Sequence, residues 1–287
     1  MLTNLNYVLR DAQKNAYAVP AFDCVEDFMV RSILETAEAK NSPVILMSLR
    51  HDLEEGRGFE YISGLINKVA PSYDIPIVLH LDHAEDFDFI KKAIDKGFTS
   101  VMYDGSQLPF AENVKNTREV VEYAHQRGVS VEAELGHVGG MNLDGTKEGD
   151  SQLTKASDVK RFIEETNVDA LAVSIGTAHG VYEAEPVLNI ERLKEIRTAT
   201  DVPLVLHGGS GTPLDQIQET IKNGITKINI FADLRIAMYK GLLEAAEKAE
   251  AADREDPTPD VLFAPIKNSL ESVVGKKIEQ LYADNRV

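Results

Sequence analysis

The chain has 287 residues, 43% of them hydrophobic, which is enough to bury the core of one large α/β domain or two smaller ones. Its formal net charge of −17 argues against a nucleic-acid or anionic-membrane partner, because no basic patch is available to neutralise phosphates. The single cysteine, Cys24, cannot form an internal disulfide, and the sequence has neither a signal-like apolar segment nor a run of ~20 apolar residues. We therefore expect a cytoplasmic protein without a membrane segment.

Eight short β-rich runs alternate with amphipathic, charged stretches along the whole chain, a pattern that predicts repeated βα units. The runs cover residues 16–22, 43–48, 75–83, 99–105, 129–136, 168–176, 202–209 and 226–231. Helix-like segments between them include 26–40, 86–97, 112–128, 155–167, 189–200 and 213–224, and several end in Gly or Asn.

Eight such units in about 250 residues match the usual size of a (β/α)8 TIM barrel, whose parallel strands are buried on both faces. A doubly wound open sheet is the alternative, and the lack of a Gly-rich dinucleotide fingerprint after the first strand weakens it. We therefore predict an α/β protein with a single TIM-barrel domain over residues 1–287. Its C-terminal stretch, from about 234 to 287, continues as additional helices.

Polar residues stand at the carboxyl ends of the predicted strands, where active sites lie in this fold. In strand order they are Asp82 and His83, Asp104 and Ser106, Glu132 and Glu134, His179, His207, and Asn229. Three of the seven histidines thus follow the third, sixth and seventh strands. A single histidine at a strand end is most often a hydrogen-bonding residue, but three that converge with an open position are typical of a catalytic zinc-type site.

The other histidines call for different interpretations. His80 lies two residues before Asp82 and shares its side of the strand, so we interpret it as a polar residue of the barrel interior rather than a ligand. His51 and His137 fall in predicted loops, either lining the mouth of the barrel or at the surface. His125 lies on a charged helix and is expected to be solvated.

A glycine-rich segment, "LHGGSGTP" at 206–213, follows the seventh strand. Glycines at this place let backbone N–H groups approach an anion, and the loops after strands seven and eight commonly bind phosphate in this fold. Alone, such a loop is equally consistent with a tight turn. Together with the preceding histidine and the following helix it predicts a phosphate site.

Six motifs follow one another along nearly the whole chain: "VLHLDH", "VMYDGSQLPFAENV", "VEAELGHVGG", "LAVSIGTAHGVY", "PLVLHGGSG" and "TKINI". In their residues and their order they resemble the class II, metal-dependent ketose-bisphosphate aldolases, the group of fructose- and tagatose-bisphosphate aldolases.

The resemblance implies a role for each matching residue. His83, His179 and His207 match the ligands of one catalytic Zn²⁺, and Asp82 matches the acid/base that exchanges a proton with the hydroxyl on the carbon where the bond breaks. The residues that match contacts to dihydroxyacetone phosphate are Gly180, Gly208, Gly209, Ser210 and Asn229, with a monovalent cation, Na⁺ or K⁺, nearby.

Two acids have alternative roles, and two lysines can be considered as nucleophiles. Asp104 and Glu134 match acids that can occupy a second metal position, or they orient the histidines. A metal-dependent aldolase needs no Schiff-base lysine, and neither Lys227, early in the eighth strand, nor Lys147, in a loop, is a persuasive nucleophile.

Several positions depart from the family's pattern. Many members have an acid where this chain has Asn142, so the base that removes the carbon-bound proton is open, with Asp144 or Glu148 as candidates if their loop closes as a lid. The family's threonine after the eighth strand is replaced by Ala232, its neighbour is Phe231, and Asp23 stands where Asn is common. These changes indicate a substrate unlike ordinary fructose bisphosphate.

The expected function is reversible aldol cleavage of a phosphorylated ketose, similar to fructose or tagatose bisphosphate, into dihydroxyacetone phosphate and an aldehyde. Cleavage of another sugar phosphate, such as 6-phospho-5-dehydro-2-deoxygluconate, is one alternative. A weakly active barrel that only binds a sugar phosphate is another. The resemblance also implies a homodimer or homotetramer.

Overall fold

Eight parallel strands close into a barrel in the computed structural model, which describes residues 1–54, 56–141, 147–148, 151–180, 182, 185–252 and 256–287. Each strand pairs with the next along the chain, and the last pairs with the first. In chain order they are β1 (Val19–Asp23), β2 (Val44–Leu49), β3 (Ile77–Ala84), β4 (Ser100–Tyr103), β5 (Ser130–Leu135), β6 (Ala170–Val173), β7 (Leu204–Leu206) and β8 (Ile225–Ile230). The predicted TIM barrel is confirmed.

Helices connect the strands on the outside of the barrel and extend the chain at both ends. They are α1 (Leu5–Asn15), α2 (Asp27–Ala39), α3 (Arg50–Glu54), α4 (Gly58–Val69), α5 (Phe87–Asp95), α6 (Phe110–His125), α7 (Ala156–Thr166), α8 (Ile190–Ala199), α9 (Leu214–Lys222), α10 (Ala232–Ala251) and α11 (Pro259–Gln280). A 3₁₀ turn, Ala70–Ser72, follows α4. Because the helices cover the outer face, nearly every strand residue is buried, which explains the continuous apolar runs of the sequence.

The amino-terminal end of the barrel is covered by the start of the chain. The short strand Leu2–Thr3 pairs with the beginning of β3. The backbone N–H of Leu5 donates to Ser130 Oγ, 3.0 Å away, and the Asn6 side chain donates to Asp169, so α1 lies against the ends of two strands. Covering this end leaves the opposite, carboxyl end of the strands open for a site.

The two C-terminal helices pack against each other, and α11 also packs against α2. Lys277 of α11 pairs with Asp233 of α10 at 2.6 Å. These two helices expose the apolar side chains of Ile236, Tyr239, Leu243 and Phe263. Within the described residues, no helix has the length and apolar character that crossing a bilayer requires.

Candidate active site

A local irregularity in β3 directs two adjacent side chains to the same region. Neighbouring residues of a regular strand face opposite sides, yet Asp82 and His83 both reach the barrel's centre. The pairing register between β3 and β4 shifts between Leu81 and Ala84, and His83 has a positive φ of 42°. A bulge of this kind changes the direction of a side chain, and the left-handed backbone at a non-glycine residue is a strained conformation often found at functional sites.

Three histidines from distant parts of the chain meet at the open end of the barrel. The ring centroid of His83 lies 4.9 Å from that of His179 and 4.6 Å from that of His207. One nitrogen from each of the three rings lies within 4.8 Å of the others. Ring nitrogens at this spacing can be the ligands of one divalent ion such as Zn²⁺.

Carboxylates hold two of these imidazoles in place. Asp104 Oδ2 lies 2.7 Å from His83 Nδ1, and Glu132 Oε1 lies 3.0 Å from His207 Nε2. Burial disfavours the charged form of His83, but Asp82 and Asp104 outweigh it and raise its pKa to about 10. Acids placed in this way fix the orientation of ligating imidazoles and favour positive charge between them.

The other nitrogen of His207 gives a test of whether a metal ion fits. His207 Nδ1 and Glu134 Oε2 are buried 3.1 Å apart, but neither has a hydrogen-bond partner of acceptable geometry among the described residues. Buried polar atoms without partners are costly, and an ion bound by both would satisfy them. The donor set of imidazoles with adjacent carboxylates therefore fits a divalent metal.

Glu134 and Asp104 also accept hydrogen bonds from the backbone. Glu134 Oε1 accepts from the backbone N–H of Val138 at 2.9 Å, and Asp104 Oδ1 accepts from that of Ser106 at 3.0 Å. Both acids also lie within 4.8 Å of His83, in a second arrangement of possible ligand atoms. The geometry thus accommodates both interpretations from the sequence, as histidine orienters and as ligands of a second ion.

Two glycines explain how the loop after β5 reaches His179. The backbone N–H of His179 donates to Gly139 O at 2.9 Å, and Gly140 forms a parallel bridge with His179. A Cβ atom on Gly140 would lie 2.4 Å from His179 N, and its φ of 148° also suits only glycine. Gly140 of the "VGG" segment is therefore required for close backbone contact with His179.

Asp82 is held by an amide from the opposite side of the barrel. Asn229 Nδ2 lies 3.1 Å from both carboxylate oxygens of Asp82. Burial disfavours the ionised form, but His83, His80 and Lys227 outweigh it and keep the pKa of Asp82 well below its usual range. Asp82 is thus a carboxylate at neutral pH, able to accept a proton.

A buried ion pair below the site was not predicted from the sequence. Lys227 Nζ lies 2.8 Å from Glu132 Oε2, and both residues are fully buried. Burial opposes ionisation of Glu132, but Lys227 and His207 lower its pKa to about 2. Lys227 is therefore engaged in an ion pair, as expected of a lysine that is not a nucleophile. The sequence does indicate that Glu132 faces the interior, because it lies two residues from Glu134 on the same strand.

The predicted phosphate loop makes several internal contacts. A Cβ atom on Gly208 would lie 2.4 Å from Ala178 O, so this loop packs closely on the loop after β6. The N–H of Gly209 donates to Asn229 O at 3.1 Å. Ser210 Oγ accepts from the N–H groups of Phe231 and Asp233 at the start of α10, which leaves its own proton available for an anion. Gly180, the remaining predicted contact, has a positive φ of 91°.

Tyr182 joins the two loops and was missed by the sequence analysis. Its hydroxyl donates to Gly208 O at 2.9 Å and accepts from the N–H of Ala178 at 3.0 Å. A tyrosine in a loop gives no sequence signal for such a contact, since the two loops meet only in the barrel.

A second group of charged residues lies at the mouth, on the side of β1, β2 and β8. Arg235 Nε donates to Asp23 Oδ2 at 3.2 Å, and the guanidinium carbon lies 4.3 Å from the ring centroid of Phe231. Asp52 Oδ1, from α3, lies 3.7 Å from Arg235 Nη2. Asp23 and Phe231 stand out in the sequence as departures from the family's pattern, but no role was predicted for Arg235 or Asp52.

The other histidines occupy varied positions. His80 is fully buried with Nδ1 2.8 Å from Ser100 Oγ, an interior position. His137 is buried beside Ser106, at 3.0 Å, rather than at the surface. His51 is exposed on α3, and His125 is exposed but pairs with Asp169 at 2.8 Å.

The candidate bases lie in the loop after β5. Asn142 and Asp144 fall outside the described residues. The backbone of Glu148 belongs to the short strand Lys147–Glu148, where it pairs with Gly140 in the strand Gly140–Met141. Because Gly140 also pairs with His179, the strand Gly140–Met141 lies between the backbone of His179 and that of Glu148.

Comparison with known proteins identifies the family of this chain. The family model described as fructose-bisphosphate aldolase class-II matches residues 3–286. The chain belongs to this family. As a class II aldolase it is a lyase that carries out aldol cleavage, and enzymes of this class typically use a divalent metal.

Solved structures of other aldolases superimpose over almost the whole chain. The YdjI aldolase from Escherichia coli K12 is 31% identical, with a TM-score of 0.86 over 100% of this chain and 99% of that one. A putative fructose-1,6-biphosphate aldolase from Coccidioides immitis is 26% identical, with a TM-score of 0.87 over 99% and 98% of the two chains. The fructose-bisphosphate aldolase from Campylobacter jejuni, at 24% identity and a TM-score of 0.84 over 100% and 97%, shares the fold.

Proposed function

We propose that this class II aldolase cleaves a phosphorylated ketose reversibly into dihydroxyacetone phosphate and an aldehyde, with ketose bisphosphates of the fructose and tagatose type as reference substrates. The observation that carries the proposal is the convergence of His83, His179 and His207 beside the Asp82 carboxylate. A protein that only binds sugar phosphates would have no use for a proton acceptor held at this place.

The three histidines would hold one Zn²⁺ per subunit, and the ion would polarise the substrate carbonyl and stabilise the negative charge that cleavage leaves on the dihydroxyacetone phosphate half. Asp82 takes the proton from the hydroxyl on the aldehyde side of the breaking carbon–carbon bond. The electron pair of that bond stays on the carbon of the other half, and this carbon then receives a proton. Asp144 or Glu148 is the proposed donor of that proton.

The loop of Gly208, Gly209 and Ser210, with Gly180 and Asn229, is proposed to hold the phosphate of dihydroxyacetone phosphate. The free proton of Ser210 Oγ and the positive end of α10, which begins beside it, support this assignment. A monovalent cation, Na⁺ or K⁺, is proposed near the same phosphate, where it would offset negative charge. We further propose a cytoplasmic homodimer or homotetramer, and the exposed apolar residues of α10 and α11 support a subunit contact there.

A coupled assay tests the proposal. The zinc-loaded protein is incubated with a panel of phosphorylated ketoses that includes 6-phospho-5-dehydro-2-deoxygluconate, and released dihydroxyacetone phosphate is measured through an NADH-dependent reductase. We expect turnover of at least one ketose, and loss of turnover with a chelator that is reversed by added Zn²⁺. The aldolase assignment to this site fails if no ketose yields dihydroxyacetone phosphate. Calorimetric binding without turnover would instead favour the weakly active, sugar-phosphate-binding alternative.

A further inference from the structure

Asp23, Asp52, Phe231 and Arg235, which we call the mouth cluster, come together from three different parts of the chain. Asp23 ends β1, Asp52 lies on α3 after β2, and the other two residues follow β8. We propose that the mouth cluster binds the aldehyde half of the substrate, and that this half is an uncharged polyhydroxylated aldehyde rather than a phosphorylated one. The inference rests on the proposed function and narrows its substrate.

The registers of β1, β2 and β3 place Asp23 on the same side of the sheet as the catalytic carboxylate. Asp23 of β1 is level with Met47 of β2, and Met47 is level with His80 of β3. His80 lies two residues before Asp82, so Asp23, His80 and Asp82 all face the barrel interior. Burial is the main cause of the raised pKa of Asp23, and Asp52 and Asp82 add to it, as expected of carboxylates near each other.

The direction of the aldehyde half follows from the chemistry. Asp82 exchanges a proton with the hydroxyl of the carbon that becomes the aldehyde, so the rest of that half extends away from Asp82. The phosphate loop lies after β7, whereas Asp82 belongs to β3, whose neighbour β2 leads into α3 and Asp52. Asp23 and Asp52 of the mouth cluster are therefore on the side of the barrel that the aldehyde half would occupy, whereas Phe231 lies between them and the phosphate loop, where its N–H donates to Ser210.

The charges of the mouth cluster disfavour a phosphate. The single guanidinium of Arg235 stands between the carboxylates of Asp23 and Asp52, and its face is covered by Phe231. The nearby Arg50, at the start of α3, is paired with Glu54 at 2.8 Å. A second phosphate would bring up to two negative charges toward two carboxylates, and like charges at such distances repel.

Two buried atoms of the mouth cluster indicate what does bind. Asp23 is 1% exposed, and its Oδ1 has no hydrogen-bond partner among the described residues. Arg235 Nη2 is likewise buried without a hydrogen-bond partner there. One atom is an acceptor and the other a donor, and a hydroxyl is the group that both donates and accepts. Neighbouring hydroxyls of a sugar aldehyde would satisfy both atoms without adding charge.

The test compares matched aldehydes in the synthesis direction. At pH 8, the zinc-loaded enzyme receives dihydroxyacetone phosphate with glyceraldehyde or glyceraldehyde 3-phosphate, and with erythrose or erythrose 4-phosphate. We expect kcat/KM to favour the uncharged member of each pair at least tenfold. Equal or better use of the phosphorylated members overturns the proposal.

Two substitutions and a control assign the preference to the mouth cluster. Asp23→Asn removes one negative charge at nearly constant shape, and we expect the uncharged-to-phosphorylated ratio of kcat/KM to fall at least tenfold. Arg235→Met removes the donor, and we expect at least a tenfold loss with uncharged aldehydes. Arg50→Met removes a cation from the same end of the barrel but outside the mouth cluster, and the ratio should stay within twofold of the wild type. An unchanged ratio in Asp23→Asn overturns the assignment, even if Arg235→Met does not fold.

Exchange of the carbon-bound hydrogen of dihydroxyacetone phosphate with deuterated solvent, followed by NMR, needs no aldehyde. Absence of exchange in the wild-type enzyme would contradict the proposed function. Exchange without the expected aldehyde preference would contradict the mouth-cluster proposal alone. Dividing each variant's kcat/KM by its own exchange rate removes general losses of activity.

Discussion

Asp82 and its neighbours show how the environment of one residue prepares it for its proposed role. The carboxylate is ionised because adjacent cationic groups overcome the cost of burial, and Asn229 fixes both of its oxygens. Rotation of the Asp82 carboxylate would break both contacts with Asn229 Nδ2. Asp82 is therefore positioned before substrate arrives, which is the condition for efficient proton transfer.

Replacing Asp82 with Asn should remove the proton acceptor at nearly constant volume. We expect kcat for ketose cleavage to fall by about 10²–10⁴-fold, while the zinc content, measured by mass spectrometry, stays at the wild-type level. The matched control is Asp86→Asn, because Asp86 is the N-cap of α5 and asparagine caps a helix equally well. Equal losses in both variants would show that charge near β3, and not the acceptor, is what matters.

The titration of Asp23 should make the free energy of unfolding depend on pH. Burial raises its pKa to about 7 from an ordinary value near 3.8, so the folded protein binds more protons than the unfolded chain between these values. The free energy of unfolding should therefore decrease as pH rises from about 4 to about 7, by up to about 4 kcal/mol from this group.

Asp23→Asn removes this titration. Denaturant unfolding at pH 5 and pH 8 should show a smaller difference between the two pH values in the variant than in the wild type. The same difference in both proteins would mean that the folded pKa of Asp23 is close to its ordinary value.

At the level of elements, the eight strands were predictable because parallel strands covered on both faces form continuous apolar runs. The ends of the strands were less predictable. The run 202–209 contains only the strand Leu204–Leu206, because the chain bends at His207 and Gly208 has a positive φ of 69°. The strand Leu2–Thr3 is too short to give a pattern, and the bulge at His83 depends on pairing with β4, which no local signal reports.

The site was predictable to the extent that it uses strand ends. His83, His179 and His207 could be grouped because all follow strands of one barrel. Arg235 could not be assigned to the site from the sequence. It lies in the first turns of α10, and its position next to Asp23 depends on the direction in which α10 follows β8. The pair Lys227–Glu132 was hidden for a similar reason, because it joins strands on opposite sides of the barrel.

The contact between Gly140 and His179 leads to a prediction for the loop after β5. Gly140→Ala would place a methyl group against the His179 backbone, so we expect the histidine to shift and zinc affinity to fall by about 10–100-fold. Competition with a chromogenic chelator measures the affinity. Gly128→Ala is the control, because Gly128 also has a positive φ, of 71°, but nothing lies within 4 Å of the added atom. Equal losses would point to backbone strain in general.

For the whole molecule, the sum of charges around the barrel axis favours a bound cation. Asp82, Asp104, Glu132 and Glu134 surround the three histidines, and Lys227 offsets only one of them. A single domain over residues 1–287, a homodimer or homotetramer, and a cytoplasmic location stay predictions.

Removing the ion should lower the stability of the whole barrel. With free Zn²⁺ at about 1,000 times its dissociation constant, we expect the melting temperature to rise by about 5–10 °C over the chelated protein. Differential scanning calorimetry measures the shift, and His179→Ala should reduce it to near zero at the same zinc concentration. A shift that persists undiminished in this variant would place the stabilising ion elsewhere.

The separation of the three histidines along the chain also determines when the ion site can form during folding. His83 comes from β3, whereas His179 and His207 follow β6 and β7, so the intervening strands must pair before the three rings meet. Contacts between such distant segments form late because closing long loops costs entropy first. A chain emerging from the ribosome with its N-terminus first has no complete ion site until β7 has left the exit tunnel. Metal capture thus follows the pairing of β3 to β7 and cannot nucleate it.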